Sequence, residues 1–134
     1  MNYDQALQLF FQVLSASGMI VHPSLLKELL GICSGSGQEA TIKKALAARL
    51  QRLAAYPGSA HIKFPESFER LRNAGDLYSM RIPTSNHNVR VLYGYSGDNI
   101  CLLLAFNEKA GKGNTDYSSH IEPARSRLAE LIEE

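Results

Sequence analysis

Leu77-Tyr-Ser-Met-Arg-Ile82, Val89-Arg-Val-Leu-Tyr-Gly-Tyr95 and Ile100-Cys-Leu-Leu-Leu-Ala-Phe106 are three apolar runs separated by turn-forming residues. Together they predict an antiparallel meander. In the first run Tyr78, Met80 and Ile82 alternate with Leu77, Ser79 and Arg81, and in the second Val89, Val91 and Tyr93 alternate with Arg90 and Gly94, the period of a half-buried strand. The third run is apolar throughout, so both its faces should be covered and it should lie centrally in the sheet. Ser96-Gly97-Asp98-Asn99 supplies the hairpin turn between the second and third strands.

Upstream, the period is helical. Leu7, Phe10, Phe11 and Leu14 form one apolar stripe that ends at Ser15-Ala-Ser-Gly18. Pro23 opens a shorter helix carrying Leu25, Leu26, Leu29 and Leu30, which Gly31 and Ser34-Gly-Ser-Gly37 should break. Ser36 and Glu39 have capping-box spacing and start a third helix, with Ile42, Leu46, Leu50 and Leu53 on one side. Phe64, Phe68 and Leu71 suggest a short helical turn around Pro65. A last helix carries Ile121, Ala124, Leu128, Leu131 and Ile132, with Pro123 near its start. Helices, a meander and a closing helix predict a single α+β domain over residues 1–134: a small sheet of three or more strands at about 77–106, packed with N-terminal helices and a C-terminal helix.

Composition limits the function classes. The chain has 134 residues, 45% hydrophobic and 20% charged, with a net charge of +1. This is an ordinary globular balance, and it excludes a polycation that coats nucleic acid by charge alone. The charge is uneven: residues 1–60 and 61–112 each carry +2 and residues 113–134 carry −3. No apolar run is long enough to span a membrane. The amino end lacks the basic start and apolar stretch of a signal peptide, so a cytoplasmic location is expected. Cys33 and Cys101 fit no metal spacing and read as reduced core thiols.

A register argument gives the first candidate site. If Ile82 pairs with Val89, Arg81 lies directly opposite Arg90, and like charges so placed need an anion or carboxylates nearby. The pair is either a phosphate clamp or two surface arginines, each with its own acid. The segment Phe106-Asn-Glu-Lys-Ala-Gly-Lys-Gly-Asn-Thr-Asp-Tyr117 follows the third strand and could fold over that face, but it is no Walker A loop, since Gly113 follows Lys112 where Ser or Thr is required. His22, His61, His87 and His120 show no i, i+4 pairing, so no metal site is expected. His120 could approach the 109–117 loop or serve as a capping or surface residue. Tyr93, Tyr95 and Tyr117 could stack on bases or simply pack.

Four motifs in order carry a family resemblance: Phe68-Glu-Arg-Leu-Arg-Asn-Ala-Gly-Asp-Leu-Tyr-Ser-Met-Arg81, Val89-Arg-Val-Leu-Tyr93, Leu103-Leu-Ala-Phe-Asn-Glu-Lys109 and Glu122-Pro-Ala-Arg-Ser-Arg127, preceded by the helix from Ile42 to Tyr56. Residues 38–132 thereby resemble the RelE/HigB-type toxins of bacterial type II toxin–antitoxin modules, in the phage-derived HigB-like branch. Residues 1–35 lie outside the resemblance as an added helical segment.

The resemblance implies a RelE-like fold and a metal-independent endoribonuclease that cuts mRNA on the ribosome, needs no cofactor and is blocked by a cognate antitoxin, often a helix-turn-helix protein. In that chemistry a ribose 2′-OH attacks the adjacent phosphate, leaving a 2′,3′-cyclic phosphate and a 5′-OH. Carried over by residue, the resemblance implies that Arg90 contacts the scissile phosphate, with Arg81, Lys109, Lys112 and Tyr117 completing the catalytic set. Arg72, Tyr93 and His120 are the expected substrate contacts. Ser79 stands where many members have a second basic residue, which leaves the general base unassigned. Two alternatives are a ParE-like toxin that inhibits DNA gyrase without cutting, and a catalytically inactive interaction domain.

Overall fold

The computed structural model describes residues 1–108 and 117–132. In chain order these form α1 (Tyr3–Ala16), β1 (Ile20–Val21), α2 (Pro23–Cys33), α3 (Glu39–Ala55), α4 (Ala60–Lys63), β2 (Phe68–Arg70), β3 (Tyr78–Pro83), β4 (Asn88–Ser96), β5 (Asn99–Asn107) and α5 (Ser118–Ile132). The architecture is α+β. The sheet runs β1-β5-β4-β3-β2, antiparallel except for β1, which lies parallel to β5.

The three expected strands form, but the sheet is mixed and larger than the expected antiparallel meander. β4, not the apolar β5, lies at its centre. β5 is buried because helices cover both its faces; its edge is flanked only by the two-residue β1. The turn around Pro65 exists, since Phe68 N–H donates to the Phe64 carbonyl at 3.0 Å. The chain then extends, and Phe68, Glu69 and Arg70 pair with Met80, Ser79 and Tyr78 as an edge strand. Helix α2 continues through Gly31 to Cys33.

Local chemistry explains the helix starts. Asn2 and Gln5 form a capping box on α1, each side chain accepting from the other's backbone N–H. His22 caps α2, its Nδ1 accepting from Ser24 N at 3.2 Å, with Pro23 at the first helical position. The box expected at Ser36 and Glu39 does not form. Ser36 Oγ accepts from Gln38 N, only two residues on, so α3 begins at Glu39 itself. The Glu39 carboxylate turns back to accept from Gly35 N. Backbone N–H groups, its own foremost, hold that carboxyl below the usual range.

The sheet carries a core on each face. Phe68, Met80, Ile82, Val91 and Tyr93 pack against Phe10, Leu25, Leu29, Ile42 and Leu46 of the N-terminal helices. On the other face Leu77, Leu92, Leu103 and Leu104 pack with Ala124 of α5. A bulge between Leu92 and Tyr93 puts both Leu103 and Leu104 on the α5 side, which strict alternation would forbid. Gly94 permits the close approach of α5, since a Cβ there would meet Leu128 Cδ2 at 3.2 Å and the Asp76 carbonyl at 3.4 Å. Gly97, at φ +58°, supplies the positive φ of the two-residue β4–β5 turn. The two cysteines are buried, which pushes the Cys33 thiol up to about 12 and raises Cys101 as well, so both are inert thiols. Among the described residues no helix is long and apolar enough to cross a membrane.

Past the end of β1 an ion pair completes the edge of β5. Arg127 of α5 grips Glu28 of α2 at 2.7 and 2.9 Å and donates to the Leu103 carbonyl at 2.9 Å, while Glu28 accepts from Ala105 N at 3.1 Å. The pair thus satisfies strand groups that no strand reaches. Arg127→Ala should cost about 2 kcal/mol, because it strands the Glu28 carboxylate and the Leu103 carbonyl together. Thermal denaturation should show a Tm lower by roughly 6–8 °C for a domain of this size. A shift under about 2 °C would reduce the pair to an ordinary surface contact.

Candidate functional site

The α5-covered face of the sheet carries a polar cluster beyond its apolar half. Strand period places it: Arg81 pairs with Arg90 and Arg90 with Phe106, while two residues along Ser79 pairs with Leu92 and with Glu69. Glu69, Ser79, Arg81, Arg90 and Phe106 therefore share one face, joined by Tyr117 immediately before α5. The expected juxtaposition of Arg81 and Arg90 is present.

Each arginine has a carboxylate. Arg81 Nη2 lies 3.2 Å from Glu69, with both side chains about one-third exposed at 34% and 31%. Arg90 Nη2 donates to Glu108 at 2.7 Å, and both of those side chains are only 9% exposed. Asn88 Nδ2 adds a 3.2 Å bond to the same Glu108 oxygen. Arg81 Nε is buried with no hydrogen-bond partner. Arg81 is thus the guanidinium that an incoming anion reaches first, and Arg90 stands behind it, locked to Glu108.

Tyr117 donates to Glu69 at 2.5 Å and shares a 3.0 Å hydrogen bond with Ser79. Burial, and then the Glu69 bond, raise its pKa, so it remains a protonated donor. Its ring meets Phe106 edge-on at 5.9 Å, and the His120 ring stacks flat on Phe106 at 3.8 Å. The aromatic trio docks the start of α5 onto β5. Among the described residues no group of His, Cys, Asp or Glu could hold a metal ion.

No family model, curated protein or solved structure matches this chain.

The remaining expectations divide. Tyr93 is not a substrate contact: it is fully buried on the opposite face, stacked on Tyr78 at 5.4 Å, and burial raises its pKa. Arg72 is exposed in the 71–77 loop, at the other end of β3 from the paired arginines, so it does not join them. His120 reaches the cluster through Phe106, as a stacked ring. Lys109 and Lys112 lie outside the described residues. The sequence reading missed Glu69, because its face is defined only once β2 pairs with β3. It also gave no role to His87, whose hydrogen bonds depend on Gln38, 49 positions away.

Proposed function

We propose that the protein is a metal-independent endoribonuclease of the RelE/HigB toxin type, cutting mRNA by 2′-OH transesterification. The observation that carries this reading is Arg81 opposite Arg90 on a sheet face that also presents the Tyr117 hydroxyl. A phosphorane needs cationic donors on its nonbridging oxygens and a proton for the departing 5′ oxygen. Arg81, about one-third exposed, supplies the first contact. Arg90, held by Glu108 and Asn88, fixes the position of its cross-strand neighbour and adds charge behind it. Tyr117, kept protonated, stands as the donor to the leaving oxygen. By the same resemblance the inhibitor is a small helix-turn-helix antitoxin and the substrate is message held on the ribosome. A body of +1 net charge fits this, since the ribosome rather than a broad basic surface delivers the RNA.

Expression of the chain by itself in a bacterial host should arrest growth, and primer extension should show cuts in mRNA with 2′,3′-cyclic phosphate and 5′-OH ends. Normal growth with intact message at high expression would refute the reading.

One observation favours a second reading. Both arginines are already neutralised by carboxylates, as expected of a non-catalytic domain whose polar cluster is structural. That reading predicts intact message whatever the state of Arg81.

A further inference from the structure

β3 loses its outer neighbour just where it carries Arg81. The pairing of β2 ends with Phe68 opposite Met80, and one further bond runs from Arg81 N to the Ser67 carbonyl at 2.8 Å. The next group on that edge, the Arg81 carbonyl, accepts from Arg49 Nε of α3. Arg49 Nη1 donates to the Ala45 carbonyl of its own helix at 3.2 Å, which leaves Nη2 without a partner among the described residues. A guanidinium therefore stands at the open edge of β3, beside the backbone of the residue given the phosphate contact above.

Further cations continue from it along one surface. Arg52 lies three residues on, the spacing of neighbours on one helix face. Burial and then the Arg52 charge lower the Arg49 pKa, while Glu66 opposes them. The Arg52 guanidinium sits 5.2 Å over the Phe64 ring, Phe64 meets Tyr56 edge-on at 5.6 Å, and Lys63 Nζ sits 5.1 Å over Tyr56. Arg52, Tyr56 and Lys63 are all exposed. Among the described residues no carboxylate forms an ion pair with Arg49, Arg52 or Lys63, in contrast to Arg81 and Arg90. The rings beneath Arg52 and Lys63 hold those cations in place, so less side-chain freedom is lost when an anion arrives.

We infer that Arg49, Arg52 and Lys63 form a track for the backbone of single-stranded RNA, leading from Arg81 over the edge of β3 and across the Tyr56–Phe64 pair. The inference deepens the ribonuclease reading above and rests on it for the identity of the strand as message flanking the cut. Cations set among aromatic rings are what sequence-independent binding of a single strand uses: the cations take phosphates and the rings offer an apolar floor. The continuity with Arg81 favours a phosphodiester strand over an acidic protein segment. Three cations make a narrow footprint, in keeping with a net charge of +1, so free strand should bind weakly and mainly at low salt.

Fluorescence anisotropy with a short, fully 2′-O-methylated RNA, which lacks the attacking hydroxyl and cannot be cut, reads the track by itself. The slope of log affinity against log salt concentration should shrink by about 1.4 in Arg52→Gln/Lys63→Gln, at about 0.7 for each cation removed. Arg52→Lys/Lys63→Arg should keep the wild-type slope, and Glu66→Gln should tighten binding by removing the acid beside Arg49. All of these substitutions fall on exposed side chains, so the fold is retained. On purified ribosomes the double Gln variant should cut mRNA with KM about 10-fold higher and kcat within about twofold of wild type. An unchanged slope in that variant, no binding by wild type at low salt, or a polyglutamate peptide bound as tightly as the RNA would overturn the track alone. A wild-type protein that binds the strand with the expected slope yet leaves message intact would instead remove the ribonuclease reading and keep the track as a strand-binding surface.

Discussion

Replacing Arg90 by alanine is expected to destabilise the protein by about 3 kcal/mol, because it takes from the enclosed Glu108 carboxylate the guanidinium that donates to it at 2.7 Å. The two side chains are each 9% exposed, so water cannot stand in for the lost partner. Urea titration should show the midpoint falling with the slope nearly unchanged, and Tm should drop by roughly 10 °C. Removing both groups in Arg90→Ala/Glu108→Ala should recover part of the loss, since no stranded charge remains. A cost below about 1 kcal/mol for the single variant would mean that water reaches Glu108 and that the pair is a surface contact.

Arg81→Ala should do the opposite, leaving the fold nearly intact while abolishing function. Its partner Glu69 is 31% exposed and Arg81 itself 34%, so the ion pair stabilises by only about 0.5 kcal/mol. Under the ribonuclease reading the same substitution removes the donor that meets the phosphorane, and the cleavage rate should fall about 100- to 1,000-fold. Arg81→Lys should fall between, because an ammonium keeps the charge and loses the planar fork. Equal cleavage by wild type and Arg81→Ala at equal stability would remove Arg81 from the chemistry. The two neighbours on one rung of the sheet are thus expected to report different things, Arg90 the fold and Arg81 the reaction.

The strands that carry these residues were legible because their own alternation declares them. Tyr78, Met80 and Ile82 on one face imply Arg81 on the other, and pairing Ile82 with Val89 places Arg90 opposite. The same alternation, followed one step further, already separates Tyr93 from Arg90, so its exclusion from the site was implicit in the pattern that suggested base stacking. Strands β1 and β2 were hidden because two or three residues carry no period; they are strands by virtue of what they pair with. Glu69 was hidden for that reason. The bulge at Leu92 and Tyr93 moves Leu103 to the α5 side by inserting a residue, an event that apolar runs do not mark. His87 meets a glutamine in the turn between α2 and α3, a contact set only by how the helical layer docks on the sheet.

The ion pair of Glu28 and Arg127 also has a bearing on how copies of the chain behave towards each other. A strand whose amides and carbonyls lie open along its length is a template for the same strand of another molecule, the first step towards ordered aggregates. Here β1 covers only Cys101 and Leu102 of an otherwise almost wholly apolar β5. Beyond them, two charged side chains from helices on either face occupy the backbone groups of Leu103 and Ala105. A carboxylate and a guanidinium are poor neighbours for an incoming apolar strand. The arrangement therefore keeps the stickiest segment of the protein folded against its own helices and out of reach of its copies.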